Sequence, residues 1–218
     1  HIRKVLRFKK RTFFYSLIKM TQYNKELELS VELEQVTPWK RALNAARRTI
    51  GKPKLDKNPS KHWEAQAILA EHSPIRTVWY SWTWKNIRTW ITSHMSRHHE
   101  GCEKFIHSQR EDRRELDVPR DELPQGSLND MDMEANVQAL INISRKRVCN
   151  NASKETREAW SKVLDEIEKV DPILGEKLKL GRECVYRGFC PEFKCCGYCN
   201  TEKYQQDLKT YRNTEYAN

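Results

Sequence analysis

A chain of 218 residues and 26.0 kDa, 38% hydrophobic and 32% charged, is long enough for one sizeable domain with a modest core, which oligomerisation often completes. No apolar run approaches the roughly 20 residues that a membrane span needs, which points to a soluble protein. The net charge of +10 raises a nucleic-acid role, but seven of the 40 Lys and Arg fall in the first nineteen residues, leaving 33 bases against 30 acids.

A basic run at one end is a tail more often than a binding groove, so a basic nucleic-acid-binding protein is the weaker reading. Removing residues 1–19 would discriminate: nucleic-acid binding would collapse and an enzymatic activity would survive. This segment reads as translated upstream or vector sequence, because Met20 opens a stretch, MTQYNKELELS, that resembles a natural start. An Arg-rich transit peptide is the other reading. A secretory signal fits poorly, since the apolar patch from Phe13 to Ile18 is short and interrupted. Seven cysteines, odd in number and concentrated near the C-terminus, do not form a secreted disulfide framework, and a reducing, cytoplasmic setting is expected.

The first strand is expected where Leu27, Leu29, Val31 and Leu33 alternate with polar residues. Pro38 then suits the first turn of a helix running to Gly51. KPKLDKNPSK is a loop by composition, and HWEAQAILAEH a short helix. Tyr80, Trp82 and Trp84 mark a strand over 77–84. The spacing Trp84, Ile87, Ile91 and Met95 then turns helical and ends near Ser96.

A polar stretch to about Asp132 precedes a helix expected from Met133 to Val148. On a helical wheel Met133, Val137, Leu140, Ile141 and Ser144 form its buried face. Asn136 and Arg147 share one edge of that face, and Asn142 points elsewhere. A last clear helix spans Ala152 to Val170, with Trp160, Val163, Leu164, Ile167 and Val170 inward and Ser153 placed to cap it. The fold class is α+β, organised as the extension 1–19, a domain over 20–180 and a Cys-rich tail over 181–218.

Binding a nucleotide needs fixed cations, and arginine suits best because its planar fork stays charged and grips phosphate oxygens in pairs. Arg97, Arg110, Arg120 and Arg147 are the candidates. Composition and spacing carry the argument to a phosphate or nucleotide binder and no further. Cys102 and Cys149 have no partner base close in sequence, which argues against a thiol nucleophile. In the tail, Cys184, Cys190, Cys196 and Cys199 (with Cys195 overlapping) could supply four thiolates to a structural zinc, although only Cys196-x-x-Cys199 has familiar spacing.

Three ordered blocks bring in a resemblance. SRHHEGCEKFIHSQREDR resembles the signature of the flavin-dependent thymidylate synthases: Arg-His-Arg, seven residues, Ser, then Arg. EHSP at 71–74 is similar to the family's Gly-His-x-Ser/Thr-Pro turn in shortened form. Downstream, Arg120, Leu123, Pro124, Asn136, Asn142, Arg147, Ala152 and Glu155 follow the family's pattern without a gap.

The resemblance implies a homotetramer of mixed helices and antiparallel strands, with active sites between subunits, that converts dUMP to dTMP. FAD would be the cofactor, and NADPH and methylenetetrahydrofolate the co-substrates. It places Arg97, Arg120 and Arg147 on dUMP, with Arg110 arriving from a neighbouring subunit. Ser73, Arg97, His98, His99, Asn136 and Asn142 would sit at FAD. Arg147 and Ser108 would be the catalytic residues, Ser108 near the uracil and Arg147 steadying charge that develops on the ring.

The chain departs from the pattern on the flavin side. His99 stands where the family has Arg, which makes one cation pH-dependent. Eight residues rather than seven separate His99 from Ser108, Gln138 replaces a common Arg, and Arg76 replaces an acid. These changes keep a related outcome in view, such as hydroxymethylation of a pyrimidine nucleotide, or nucleotide binding without catalysis.

Overall fold

Alternating burial builds the sheet. The computed structural model describes residues 27–113 and 119–216, so the basic segment 1–19 and the candidate start at Met20 lie outside the described residues. Strand β1 (Ser30–Gln35) turns Val31 and Leu33 inward and Glu32 and Glu34 outward. It runs antiparallel to β2 (Trp79–Arg88), pairing Val31 with Trp84 and Leu33 with Trp82. Strands β3 (Cys102–Ile106) and β4 (Leu128–Asn136) complete an antiparallel sheet of order β1-β2-β4-β3.

Helices α1 (Lys40–Thr49) and α2 (Lys61–Leu69) follow β1, with the expected loop between them. Helix α3 (Thr89–Met95) begins later than the sequence spacing predicts. The reason is a bulge: Asn86 adopts φ 61° and the β2–β4 register shifts between Trp84 and Ile87. One extra residue breaks the period of two, so Trp84 and Ile87 share the buried side as residues of a strand. Asn tolerates this left-handed backbone better than most residues, and the Asp130 carboxylate accepts its backbone N–H at 2.9 Å.

The helix expected from Met133 starts instead at Val137, as α4 (Val137–Arg147). The residues before it form β4, where Asn129, Met131, Met133 and Ala135 alternate inward with Asp130, Asp132 and Glu134 outward. Asn and Asp are poor strand formers, and they hid this period-two pattern inside a stretch that read as polar. Edge strand β3 was hidden for another reason: its burial does not alternate, and Phe105 and Ile106 are both exposed.

Helix α5 (Lys154–Val170) lays Trp160, Val163, Leu164 and Ile167 on the sheet; Val170, expected inside, is 54% exposed at the helix end. Ser153 precedes this helix but donates its hydroxyl to Thr156 Oγ1 and accepts no backbone N–H of the first turn. The Trp160 ring meets those of Trp82 and Trp84 at 5.9 and 6.4 Å, and the Trp84 indole donates to the Ala159 carbonyl at 3.0 Å. Asp171 then caps α6 (Pro172–Leu180), accepting from Leu174 N at 3.0 Å. Its other oxygen accepts from the Trp39 indole and the Tyr80 hydroxyl, at 2.5 and 2.6 Å. One buried carboxylate thereby ties the start of α1 and strand β2 to the start of α6.

The tail contains two further helices, α7 (Glu183–Arg187) and α8 (Glu202–Arg212). Cys184, Val185, Tyr198, Tyr204 and Tyr211 bury a second cluster there against Leu69 and Leu180. Lys177 of α6 is 1% exposed, and its ammonium donates to the carbonyls of Thr210, Tyr211 and Asn213. These carbonyls end α8, where a helix has none of its own donors left to offer. Among the described residues, no helix is long and apolar enough to cross a membrane.

Candidate functional site

Two groups of side chains meet where α3, α4 and the start of β3 converge. The first lines a cavity of about 450 Å³, a volume within the range of small-molecule sites. Asn136 stands at its floor as the N-cap of α4, its Oδ1 accepting from Ala139 N at 3.0 Å. Asn142 joins it one turn and a half along, beside Gln138. The two asparagines therefore share this cavity, whereas Arg147 faces a different group. The wheel reading, which paired Asn136 with Arg147, fails because Asn136 precedes the helix.

Gly101 closes the cavity on the β3 side with φ +69°, a backbone that side chains rarely adopt. A Cβ there would fall 2.6 Å from Asn136 Nδ2, so the bare glycine is what lets Asn136 sit where it does. Glu71 and Arg76 supply the opposite wall from the turn that resembles the family's Gly-His-x-Ser-Pro motif. Ser73 itself is exposed in that turn. Glu71 occupies the position of the motif's glycine and has φ 48°. Its carboxylate accepts from Gln138 Nε2 at 2.5 Å and from Arg145, whose guanidinium stacks 3.5 Å over Tyr186 of α7.

The second group centres on Arg147. Its Nε donates to His98 Nε2 at 3.0 Å and its Nη2 to the His94 carbonyl at 2.5 Å. An imidazole nitrogen that accepts from a guanidinium must be unprotonated. Burial, followed by the charges of Arg147, Lys104 and His99, pushes His98 down to about 4. Burial and the nearby Arg97 lower the pKa of Arg147 as well. His94 is lowered by burial and by the same two arginines, and its Nδ1 lies 2.9 Å from Thr156 Oγ1. The partners of Arg147 are an uncharged ring and a carbonyl, so its positive charge is not cancelled by them.

The remaining sequence candidates are held locally. Arg110 pairs with Asp112 at 2.9 Å, and Ser108 Oγ accepts from the Arg110 backbone at 3.3 Å. Arg120 lies exposed on a short 3₁₀ turn (Arg120–Glu122), its backbone N–H donating to Glu111. Arg97 and His99 are exposed beside the Arg147 group. The sequence reading missed Glu71, Glu100 and Gly101 as wall residues. An acid in a glycine position, and a glycine directly after the Arg-His-His run, were the available signals.

Cys102 Sγ donates to the His98 carbonyl at 3.2 Å, and burial pushes its thiol pKa up, which does not favour a nucleophile. Cys184 is buried in the tail cluster, while Cys195 and Cys196 are exposed. Among the described residues, no group of three or more His, Cys, Asp or Glu is arranged to hold a metal ion, and the Cys184, Cys190, Cys196 and Cys199 zinc possibility gains no support.

The family model described as thymidylate synthase complementing protein matches residues 65–173, half of the chain and the part that contains both groups. The chain belongs to this family. The resemblance read from the Arg-His-His signature and the block from Arg120 to Glu155 is thereby borne out.

Solved structures share the fold at low identity. Thymidylate synthase X from Helicobacter pylori, crystallised with FAD and dUMP, is 15% identical with a TM-score of 0.56 and covers 70% of this chain and 99% of its own. The UMP/dUMP methylase PolB from Streptomyces cacaoi, bound with 5-Br dUMP, is 14% identical with a TM-score of 0.56, covering 68% and 94%. No curated protein matches the chain by sequence. The α+β architecture with an antiparallel sheet is the fold expected from the resemblance.

Proposed function

We propose that the chain is a flavin-dependent enzyme that adds a one-carbon unit to dUMP, forming dTMP from methylenetetrahydrofolate with FAD and NADPH. The observation that carries the reading is the uncancelled Arg147 charge, with Arg97 beside it, opening next to a cavity walled by amides. That cavity suits part of a flavin. Asn136, Gln138 and Asn142 offer amide donors and acceptors to a polar ring edge, Arg76 offers a cation to a phosphate, and Gly101 makes room for the Asn136 amide at the floor. When bound, FAD would supply the redox chemistry that turns the transferred carbon into a methyl group.

The chain's own residues bind and polarise. Arg147 and Arg97 attract the nucleotide's anionic groups. Arg147 is held in place by His98 and the His94 carbonyl, so it needs little reorganisation to stabilise charge developing on the pyrimidine. His98 stays neutral at physiological pH and keeps accepting from Arg147. Ser108, Arg110 and Arg120 lie on exposed segments, and a second copy of the chain is the natural means of bringing them to a shared site, as in a homotetramer.

The test is mass spectrometry of dUMP incubated with the chain, FAD, NADPH and methylenetetrahydrofolate. A product at the mass of dTMP supports the proposal. Hydroxymethyl-dUMP would assign the related hydroxymethylase instead, an outcome that the altered flavin wall at Glu71 and Gln138 keeps in view. Unchanged dUMP in the presence of bound flavin would overturn the synthase reading.

A further inference from the structure

Outside the nucleotide site, the densest concentration of reactive groups is in the tail, around Cys195. Cys195 Sγ lies 3.3 Å from Cys199 Sγ and accepts the Gly197 backbone N–H, also at 3.3 Å. All the cysteines of this segment are free, and Cys195 is exposed while Cys199 is half-buried behind it. Buried Tyr198 fixes the turn: its hydroxyl bonds to Asp207, and the Arg182 guanidinium stacks 4.3 Å above its ring. Two thiols are thus held close together by a braced backbone, with one of them reachable from solvent.

We propose that Cys195 and Cys199 form a thiol–disulfide exchange site, with Cys195 attacking a small disulfide such as oxidised glutathione and Cys199 resolving the adduct. Cys195 has the features of the attacking member. The Gly197 N–H first, then hydrogen bonds from Cys199 and Cys190, lower its thiol pKa. Cys199 is raised, because it donates to Cys195, and so it keeps its proton until the second step. This ordering follows from the fact that thiolate attacks and thiol does not.

The electrons balance in two exchanges. The Cys195 thiolate displaces one glutathione thiolate and becomes a mixed disulfide. Cys199 then loses its proton to solvent and displaces the second glutathione, leaving a Cys195–Cys199 disulfide and two reduced glutathiones. The sulfurs need to close from 3.3 Å to about 2.05 Å. A metal clamp is the competing use of such thiols, and it predicts bound zinc and protection from oxidation.

The experiment treats the reduced full chain with oxidised glutathione, quenches with N-ethylmaleimide, digests with trypsin and analyses the fragment 195–203. The expected fragment is two hydrogens lighter and carries a single maleimide, on Cys196. In the Cys195→Ser variant both remaining thiols of the fragment should be alkylated, with no glutathione attached. A variant with Cys190→Ser and Cys199→Ser should stall as a glutathione adduct on Cys195. Cys195 is exposed, so its replacement leaves the fold intact, which circular dichroism checks. Full alkylation of the wild-type fragment, faster reaction at Cys149 or Cys190, or stoichiometric zinc in the purified chain would each overturn the proposal.

Discussion

Replacing Gly101 with alanine tests whether the cavity wall and the cap of α4 are one mechanical unit. The new Cβ would lie 2.6 Å from Asn136 Nδ2, 2.9 Å from Oδ1 and 3.0 Å from Cγ, so the whole amide must move. It cannot move for free, because Oδ1 holds the Ala139 N–H at the start of α4. Losing that cap costs about 1 kcal/mol. Alanine in the left-handed region at φ +69° costs about 1–2 kcal/mol more. Gly101→Ala should therefore destabilise the fold by about 2–3 kcal/mol, or lower Tm by about 5–10 °C for a domain of this size.

A double-mutant cycle isolates the contact. Asn136→Ala alone forfeits the cap, about 1 kcal/mol. In its background Gly101→Ala meets no amide and costs only the backbone part, so the double variant should be about 1 kcal/mol more stable than the two single costs added. Urea denaturation of the four proteins measures this. If the two costs simply add, the contact is not what fixes Asn136 and the reasoning is wrong.

Arg147→Ala should abolish turnover while leaving the thermal transition in place. Because the Arg147 charge helps hold His98 down, its pKa should climb from about 4 towards its ordinary 6.5, read by NMR titration of the imidazole. Lys177→Met should destabilise by about 3 kcal/mol, since three carbonyls at the end of α8 lose their donor; an unchanged unfolding midpoint would refute this. Gly175→Ala would set a Cβ 2.5 Å from the Glu168 Cα, pushing α5 and α6 apart at a cost of about 1–3 kcal/mol in chemical denaturation. Burial first, then Asp171, raises Glu64 from 4.5 to about 10, so the folded state holds this proton more tightly than the unfolded chain. That stability is complete below 4.5 and is lost as pH rises towards 10, so Glu64→Gln should gain on the wild type between pH 5 and pH 9. A constant difference across that range would exclude the assignment.

The elements most legible in the sequence were those whose burial follows a plain period. The alternation over Val31 and Leu33, and the stripe from Trp160 to Ile167, led directly to β1 and α5. Strand β2 was legible only as far as Trp84, because the bulge at Asn86 changes the period and imitates a helix. Strand β4 was obscured because its outward residues are acids, which local propensity assigns to loops. Of the candidates that the motif spacing marked, Asn136 and Asn142 line the cavity and Arg147 centres the second group, while Arg110 and Arg120 are held elsewhere. The cavity walls were not legible, since Gly101 and Glu71 act through backbone angles and close approach, and neither leaves a periodic trace.

The ammonium of Lys177 belongs to α6 and the carbonyls it serves belong to the end of α8. The buried ammonium is the group that most needs its partners, because an unpaired charge in the interior costs far more than an unpaired carbonyl. A chain cut after Leu180 would leave that cation with the Glu176 carboxylate at 3.6 Å and none of its three carbonyls, in the helix that Asp171 caps and that is tied through Asp171 to Trp39 and Tyr80. The Cys-rich segment works as the counterweight of the core on which the candidate site is built.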